Sequence, residues 1–112
     1  MQGRCACGQV TFAVIDARPT ATFCHCSQCR RFSGHYWAAT RADLTNVTFI
    51  AEDTLSWYRS SDHASRGFCS HCGSSLFYQP DGADHLGIAV GCLDQPTGFT
   101  PGKHIFTADA GD

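Results

Sequence analysis

The sequence has no apolar run approaching the roughly 20 residues of a membrane-spanning helix. Its N-terminus, MQGRCACGQV, lacks the basic-then-apolar region of a secretion signal. There is no heptad pattern, no long 3.6-residue period, no internal repeat, no linker and no low-complexity segment. Charge is sparse: eight Lys and Arg stand against ten Asp and Glu, giving −2 with the histidines neutral. The basic residues are scattered, with only Arg30 and Arg31 adjacent. Such a surface offers no electrostatic case for nucleic acid or an anionic membrane. These absences predict a single soluble, cytoplasmic domain over residues 1–112, without a nucleic-acid or membrane partner.

Eleven glycines, eight phenylalanines and many short apolar runs favour β structure. The alternation predicts short strands near residues 10–14, 20–23, 35–40, 47–51, 55–59, 66–68, 75–78, 85–91 and 104–107, with one helical turn at 41–44. Leu86, Ile88 and Val90 would share one face, and Cys92 would continue their parity. Gly34 and Gly73 fit turn positions. The expected fold is mostly β, built of short antiparallel strands.

The conspicuous content is eight cysteines, seven of them in three tight groups: Cys5-Ala6-Cys7, Cys24-His25-Cys26-Ser27-Gln28-Cys29 and Cys69-Ser70-His71-Cys72-Gly73. Disulfides need about 4.4–6.8 Å between α-carbons with side chains facing one another, a geometry C-x-C pairs fit poorly. Without a secretion signal, cysteines so spaced more often bind metal. Cys69 and Cys72 form a knuckle whose glycine lets backbone N–H groups turn toward the sulfurs. Cys5 and Cys7 are the natural distant pair, which completes a closed four-cysteine zinc site. That leaves Cys24, Cys26 and Cys29 as three ligands for a second zinc, so two zincs per chain are expected. A structural zinc has four protein ligands, whereas a catalytic one keeps three and leaves a place for water or substrate. Three thiolates make zinc a weak Lewis acid but a good holder of a further thiol as thiolate. On the residues alone, this is a small zinc protein that binds an external thiol.

Two residues stand as alternatives for the fourth position. Cys92 is a small buried hydrophobe, a closing ligand or a reactive thiol. His25, flanked by two ligands in a tight loop, more naturally points away from the metal, and His71 faces solvent.

GRCACGQV, FCHCSQCRRFSG, LSWYRSS followed by RGFCSHCGSSL, and the late GCLD and HIF segments resemble the glutathione-dependent formaldehyde-activating family, which includes centromere-protein-V-like members. The resemblance runs from Gly3 to about Phe106. It implies a zinc β-tent fold, a structural zinc on Cys5, Cys7, Cys69 and Cys72, and a catalytic zinc on Cys24, Cys26 and Cys29. It also implies addition of glutathione, or a related thiol, to formaldehyde or another small aldehyde, classed as a carbon–sulfur lyase for the reverse direction. Arg30 and Arg31 then either receive the carboxylates of glutathione or form a solvated basic pair. Arg66 is expected to pair with a loop carboxylate or carbonyl. Tyr36, Trp37, Trp57 and Tyr58 belong to the core or line a pocket, and His104 is a structural histidine or a general acid or base. Two further readings compete with the enzyme: a binding module with two structural zincs, and a methionine-sulfoxide reductase using Cys92.

Overall fold

A computed structural model describes all residues, Met1–Asp112. Ten strands and one helix follow in the order β1 (Gln2–Arg4), β2 (Thr11–Val14), β3 (Thr20–Cys24), α1 (Ser27–Ser33), β4 (Trp37–Asp43), β5 (Val47–Ala51), β6 (Leu55–Ser61), β7 (Ala64–Cys69), β8 (Ser75–Pro80), β9 (His85–Ala89) and β10 (Thr100–Ile105). They form a three-stranded sheet, β1-β2-β5, and a seven-stranded sheet, β10-β3-β4-β9-β8-β7-β6.

Alternation decides what each sheet buries. Phe12 and Val14 of β2 point from the small sheet onto Phe77, Leu86 and Ile88 of the large one. The Phe12 and Phe77 rings meet edge-on at 5.0 Å, and Phe49 approaches Phe77 at 5.5 Å. The opposite face of the large sheet, carrying Trp37, Ala39, Arg41, Gly87 and Tyr78, becomes the floor of a cleft beside α1, whose Cys29 packs with Trp37. The large sheet therefore separates the core from the cleft.

Phe12 fits because its partner across the β1–β2 ladder is Gly3. A Cβ on Gly3 would overlap the Phe12 ring, whose Cε1 would stand 2.8 Å away. Phe12 is wholly buried, so it has no free space to move into. Gly3→Ala is expected to destabilise the fold by about 1–3 kcal/mol through overpacking. A drop in the urea midpoint at unchanged slope would show it.

Several expectations are corrected here. The helix α1 was not anticipated, nor was β1. Residues 41–43 continue β4, and a 3-10 turn begins only at Leu44. The strands pair antiparallel as expected, with one exception: β10 pairs with β3 in parallel. The last strand ends at Ile105, and Phe106 leaves it in a left-handed conformation (φ 53°). β9 stops at Ala89, and Val90–Cys92 form a 3-10 turn, so Cys92 does not continue the parity of Leu86 and Ile88. Trp37 is buried, but Tyr36, Trp57 and Tyr58 stay 41%, 45% and 57% exposed rather than joining the core.

Candidate metal centres and the cleft between them

The first cluster forms where β7 ends. Cys69 closes β7, the turn Ser70–Gly73 carries Cys72, and the loop after β1 brings Cys5 and Cys7 across. All four sulfurs lie within 4.8 Å of one another, with Cys5 to Cys7 at 3.5 Å and Cys7 to Cys69 at 3.8 Å. A tetrahedron with zinc–sulfur bonds of about 2.3 Å has edges of about 3.8 Å, so the four residues fit a tetrahedral ion. Hydrogen bonds to the sulfurs complete the setting. Val10 N–H donates to Cys5 Sγ at 3.2 Å, and Cys72 Sγ and Ser74 Oγ lie 3.2 Å apart. The Ser74 hydroxyl and N–H, with the Cys7 N–H, pull Cys72 down to about 5. Cys7 goes the other way: the Gln9 N–H lowers it, but desolvation and the three neighbouring thiols push it up to about 12. Four sulfurs that resist ionising together call for a cation.

The second cluster is built by the unanticipated helix. β3 delivers Cys24 to the edge of the cleft, and the chain turns into α1 with Cys26 as N-cap, its sulfur accepting from Cys29 N–H at 3.3 Å. Gly34 ends the helix in a left-handed conformation (φ 100°), its N–H returning to Arg30 O. The three sulfurs of Cys24, Cys26 and Cys29 again lie within 4.8 Å of one another. Burial, then Cys26, push Cys29 up to about 12 against the opposing pull of Arg66. Burial alone would raise Cys26, but the Cys29 N–H, the neighbouring thiols and Arg66 together outweigh it and move Cys26 down.

Arg66 is the residue that sequence reasoning misplaced. Its guanidinium meets neither a carboxylate nor a carbonyl. Nη1 and Nη2 both donate to Cys29 Sγ at 3.5 Å, across 37 positions of sequence. The planar group lies between aromatic faces, 5.1 Å from the Tyr78 centroid and 5.6 Å from that of Phe32. Only 4% of Arg66 is exposed, and its Nε–H has no acceptor. A buried cation without a carboxylate partner is costly unless another anion faces it, and the three-sulfur cluster supplies that anion.

Neither candidate fourth ligand joins the second cluster. His25 turns away, and its Nε2 lies 2.7 Å from His104 Nδ1 beside β10. Cys92 is half-buried with its Sγ donating to Ser75 O at 3.6 Å. Burial, then the sulfurs of Cys5 and Cys72, push its thiol up to about 11, which disfavours a nucleophilic role. Cys92→Ser is therefore expected to leave the metal count of the purified protein unchanged, as read by elemental analysis. Loss of one equivalent would mean that Cys92 is a ligand after all.

A cleft of about 370 Å³ opens over the second cluster. Cys24, Cys26 and Cys29 line it with Trp37, Tyr78, Gly87 and Phe106, and its polar lining includes Arg18, Arg41 and the buried Arg66 with His63 and His85. Arg30 and Arg31 are not part of this lining. Arg30 Nε donates to Asp109 O at 2.8 Å, and Arg31 borders a separate hollow with Gln28, Phe32 and Tyr58. His71 is exposed, as expected.

Fold and site together define a mostly β protein with a closed four-cysteine cluster on the core side of one sheet and an open three-cysteine cluster under a cleft on the other. The chain belongs to the family described as glutathione-dependent formaldehyde-activating enzyme, whose family model matches residues 1–109. It is 30% identical over 78 residues to an uncharacterized lyase of Schizosaccharomyces pombe, covering 69% of this chain and 56% of that protein. It is 29% identical over 85 residues to a Halomonas elongata protein whose name proposes a glutathione-dependent formaldehyde-activating enzyme, covering 69% and 54%. The chain thus spans little more than half the length of these curated relatives. A crystal structure of a Rhodobacter sphaeroides protein superposes with a TM-score of 0.73 at 28% identity, covering 90% of this chain and 98% of the other. No helix is long and apolar enough to cross a membrane.

Proposed function

We propose that the protein is a zinc-dependent carbon–sulfur lyase-type enzyme. It takes glutathione or a related thiol at Cys24, Cys26 and Cys29 and adds it to formaldehyde or another small aldehyde. The observation that carries this reading is the three-sulfur cluster under an open cleft, with both nearby candidates for a fourth ligand engaged elsewhere. Family membership and the names of the two curated relatives support the same chemistry.

A sulfur-only donor set suits zinc, which Cys24, Cys26 and Cys29 would hold at the cleft and Cys5, Cys7, Cys69 and Cys72 would hold at the structural site. Bound at the cleft, zinc would favour the ionised, nucleophilic form of an incoming thiol. The chain's own residues do the rest. Arg66 offsets the charge of the clustered thiolates through Cys29, so further negative charge is tolerated there. Trp37 and Tyr78 give the cleft apolar walls near the three sulfurs. The thiol sulfur donates its electron pair to the aldehyde carbon, and a C–S bond forms. The C=O π pair moves to oxygen, which takes up a proton while the thiol's own proton is released. The product is an S-hydroxyalkyl thioether, and the reverse reaction breaks the same C–S bond.

Thiols add to formaldehyde unaided, so the decisive quantity is acceleration over background. Exchange spectroscopy of formaldehyde with glutathione should show faster interconversion with the parent protein than without it. Cys26→Ser should return the rate to background. An equal rate with and without the parent protein would refute the proposal. The competing module with two structural zincs would need His25 or Cys92 as a ligand, and the contacts of both count against it.

A further inference from the structure

The distribution of charge around the cleft carries an inference beyond the chemistry of the sulfur. The chain is net negative, with ten acidic residues, yet no aspartate or glutamate lines the cleft, whereas three of its arginines do. Arg66 is committed to Cys29. Arg18 and Arg41 are not committed to any carboxylate: the arginine ion pairs of the chain are Arg4–Asp94 and Arg59–Asp81. The only side-chain hydrogen bond of Arg18 is a long one to Thr22 Oγ1 at 3.4 Å.

These two arginines are placed side by side by the backbone. Arg18 N–H donates to Arg41 O at 2.9 Å, and Thr40 Oγ1 donates to Arg18 O at 2.6 Å. Thr40 is buried, so this junction is fixed. The backbones of the pair stand toward the end of the cleft away from the cysteines, while the Arg18 guanidinium reaches back to Thr22, two positions from Cys24. Cys24 is opposite Trp37 on β4, and Arg41 lies four positions further along the same strand, which is about 13 Å at the rise of a β-strand.

Resting on the thiol-binding reading above, we propose that Arg18 and Arg41 are the specificity-determining receptor for a terminal carboxylate of the thiol substrate. The separation sets the class of that substrate. A peptide-sized thiol, with a carboxylate a residue or two from the sulfur, spans it. Two guanidinium forks facing one anion give charge-assisted, bidentate hydrogen bonds. Arg30 and Arg31, next to the cysteines in sequence, do not reach this position in the cleft lining.

Calorimetric titration of the purified, metal-loaded protein tests the assignment with three probes: glutathione, S-methylglutathione, which keeps both carboxylates but masks the sulfur, and glutathione diethyl ester. S-methylglutathione should bind the parent. Its affinity should fall roughly tenfold in Arg18→Gln and in Arg41→Gln, the usual scale for one charge-assisted contact. The diethyl ester should show a similar loss against the parent relative to glutathione, and Arg4→Gln, remote from the cleft, should bind as the parent does. Both cleft arginines are exposed, so the variants should fold, and circular dichroism verifies this. Equal binding of acid and ester would overturn the inference, as would no binding of S-methylglutathione, or a loss confined to Arg31→Gln. If glutathione binds no tighter than S-methylglutathione while both depend on Arg18 and Arg41, the carboxylate receptor stands and the thiol-capture reading fails.

Discussion

Replacing Cys69 with serine is expected to abolish cooperative folding. Cys69 is fully buried, belongs to the main apolar core and contributes one of the four clustered sulfurs. A structural zinc on four thiolates contributes about 10–16 kcal/mol of apparent binding free energy. A domain of this size is stable by only about 5–15 kcal/mol. The substitution also leaves three crowded sulfurs and places a hydroxyl in apolar surroundings, so nothing offsets the loss. The expected result is a chain with disordered-type circular dichroism and no thermal transition, and a strong chelator should produce the same state in the parent. A cooperative transition within a few degrees of the parent would show that the cluster does not carry the fold.

The second large effect belongs to Arg66. Arg66→Gln removes the cation that faces Cys29 while leaving the thiolates in place, and breaking a buried pair by deleting one partner costs about 3–5 kcal/mol. It also removes the stacking on Tyr78 and Phe32. The loss should fall mainly on the open cluster. Purified Arg66→Gln should retain about one equivalent of metal instead of two, or surrender the second to a competing chelator at a much lower concentration. Arg66→Lys should recover only part of this. It restores the charge but not the fork with which two nitrogens meet one sulfur. Unchanged retention of both equivalents in Arg66→Gln would mean that the contact with Cys29 is incidental.

The elements that depend on near neighbours were legible in the sequence. The expected strands included β2, β5, most of β6 and all of β9, overrunning β9 by two residues, and the tight spacing of the cysteines pointed to both clusters, although the four-sulfur one also joins residues 62 positions apart. What escaped was either non-local or locally irregular. α1 has no amphipathic repeat; a cysteine sulfur at its N-cap and a left-handed glycine at its end define it. The parity drawn through Cys92 failed because β9 gives way at Val90 to a turn containing Gly91. The partner of Arg66 lies 37 residues away on another element, and no spacing rule reaches that far. Arg18 and Arg41 stand alone in sequence, and only the adjacency of the segment before β3 to β4 brings them together, whereas the Arg30-Arg31 pair draws the eye without lining the cleft.

One strand serves both clusters. Arg66 and Cys69 are three positions apart on β7, an odd interval, so they project from opposite faces: Arg66 into the cleft, Cys69 into the core. A slip of β7 by one residue would turn both over at once. The four-sulfur site would lose a ligand at the same moment as the three-sulfur site lost its cation. A misregistered chain would therefore fail on both sides of the sheet. The register of β7 thus ties the integrity of the core-side cluster to the charge of the cleft.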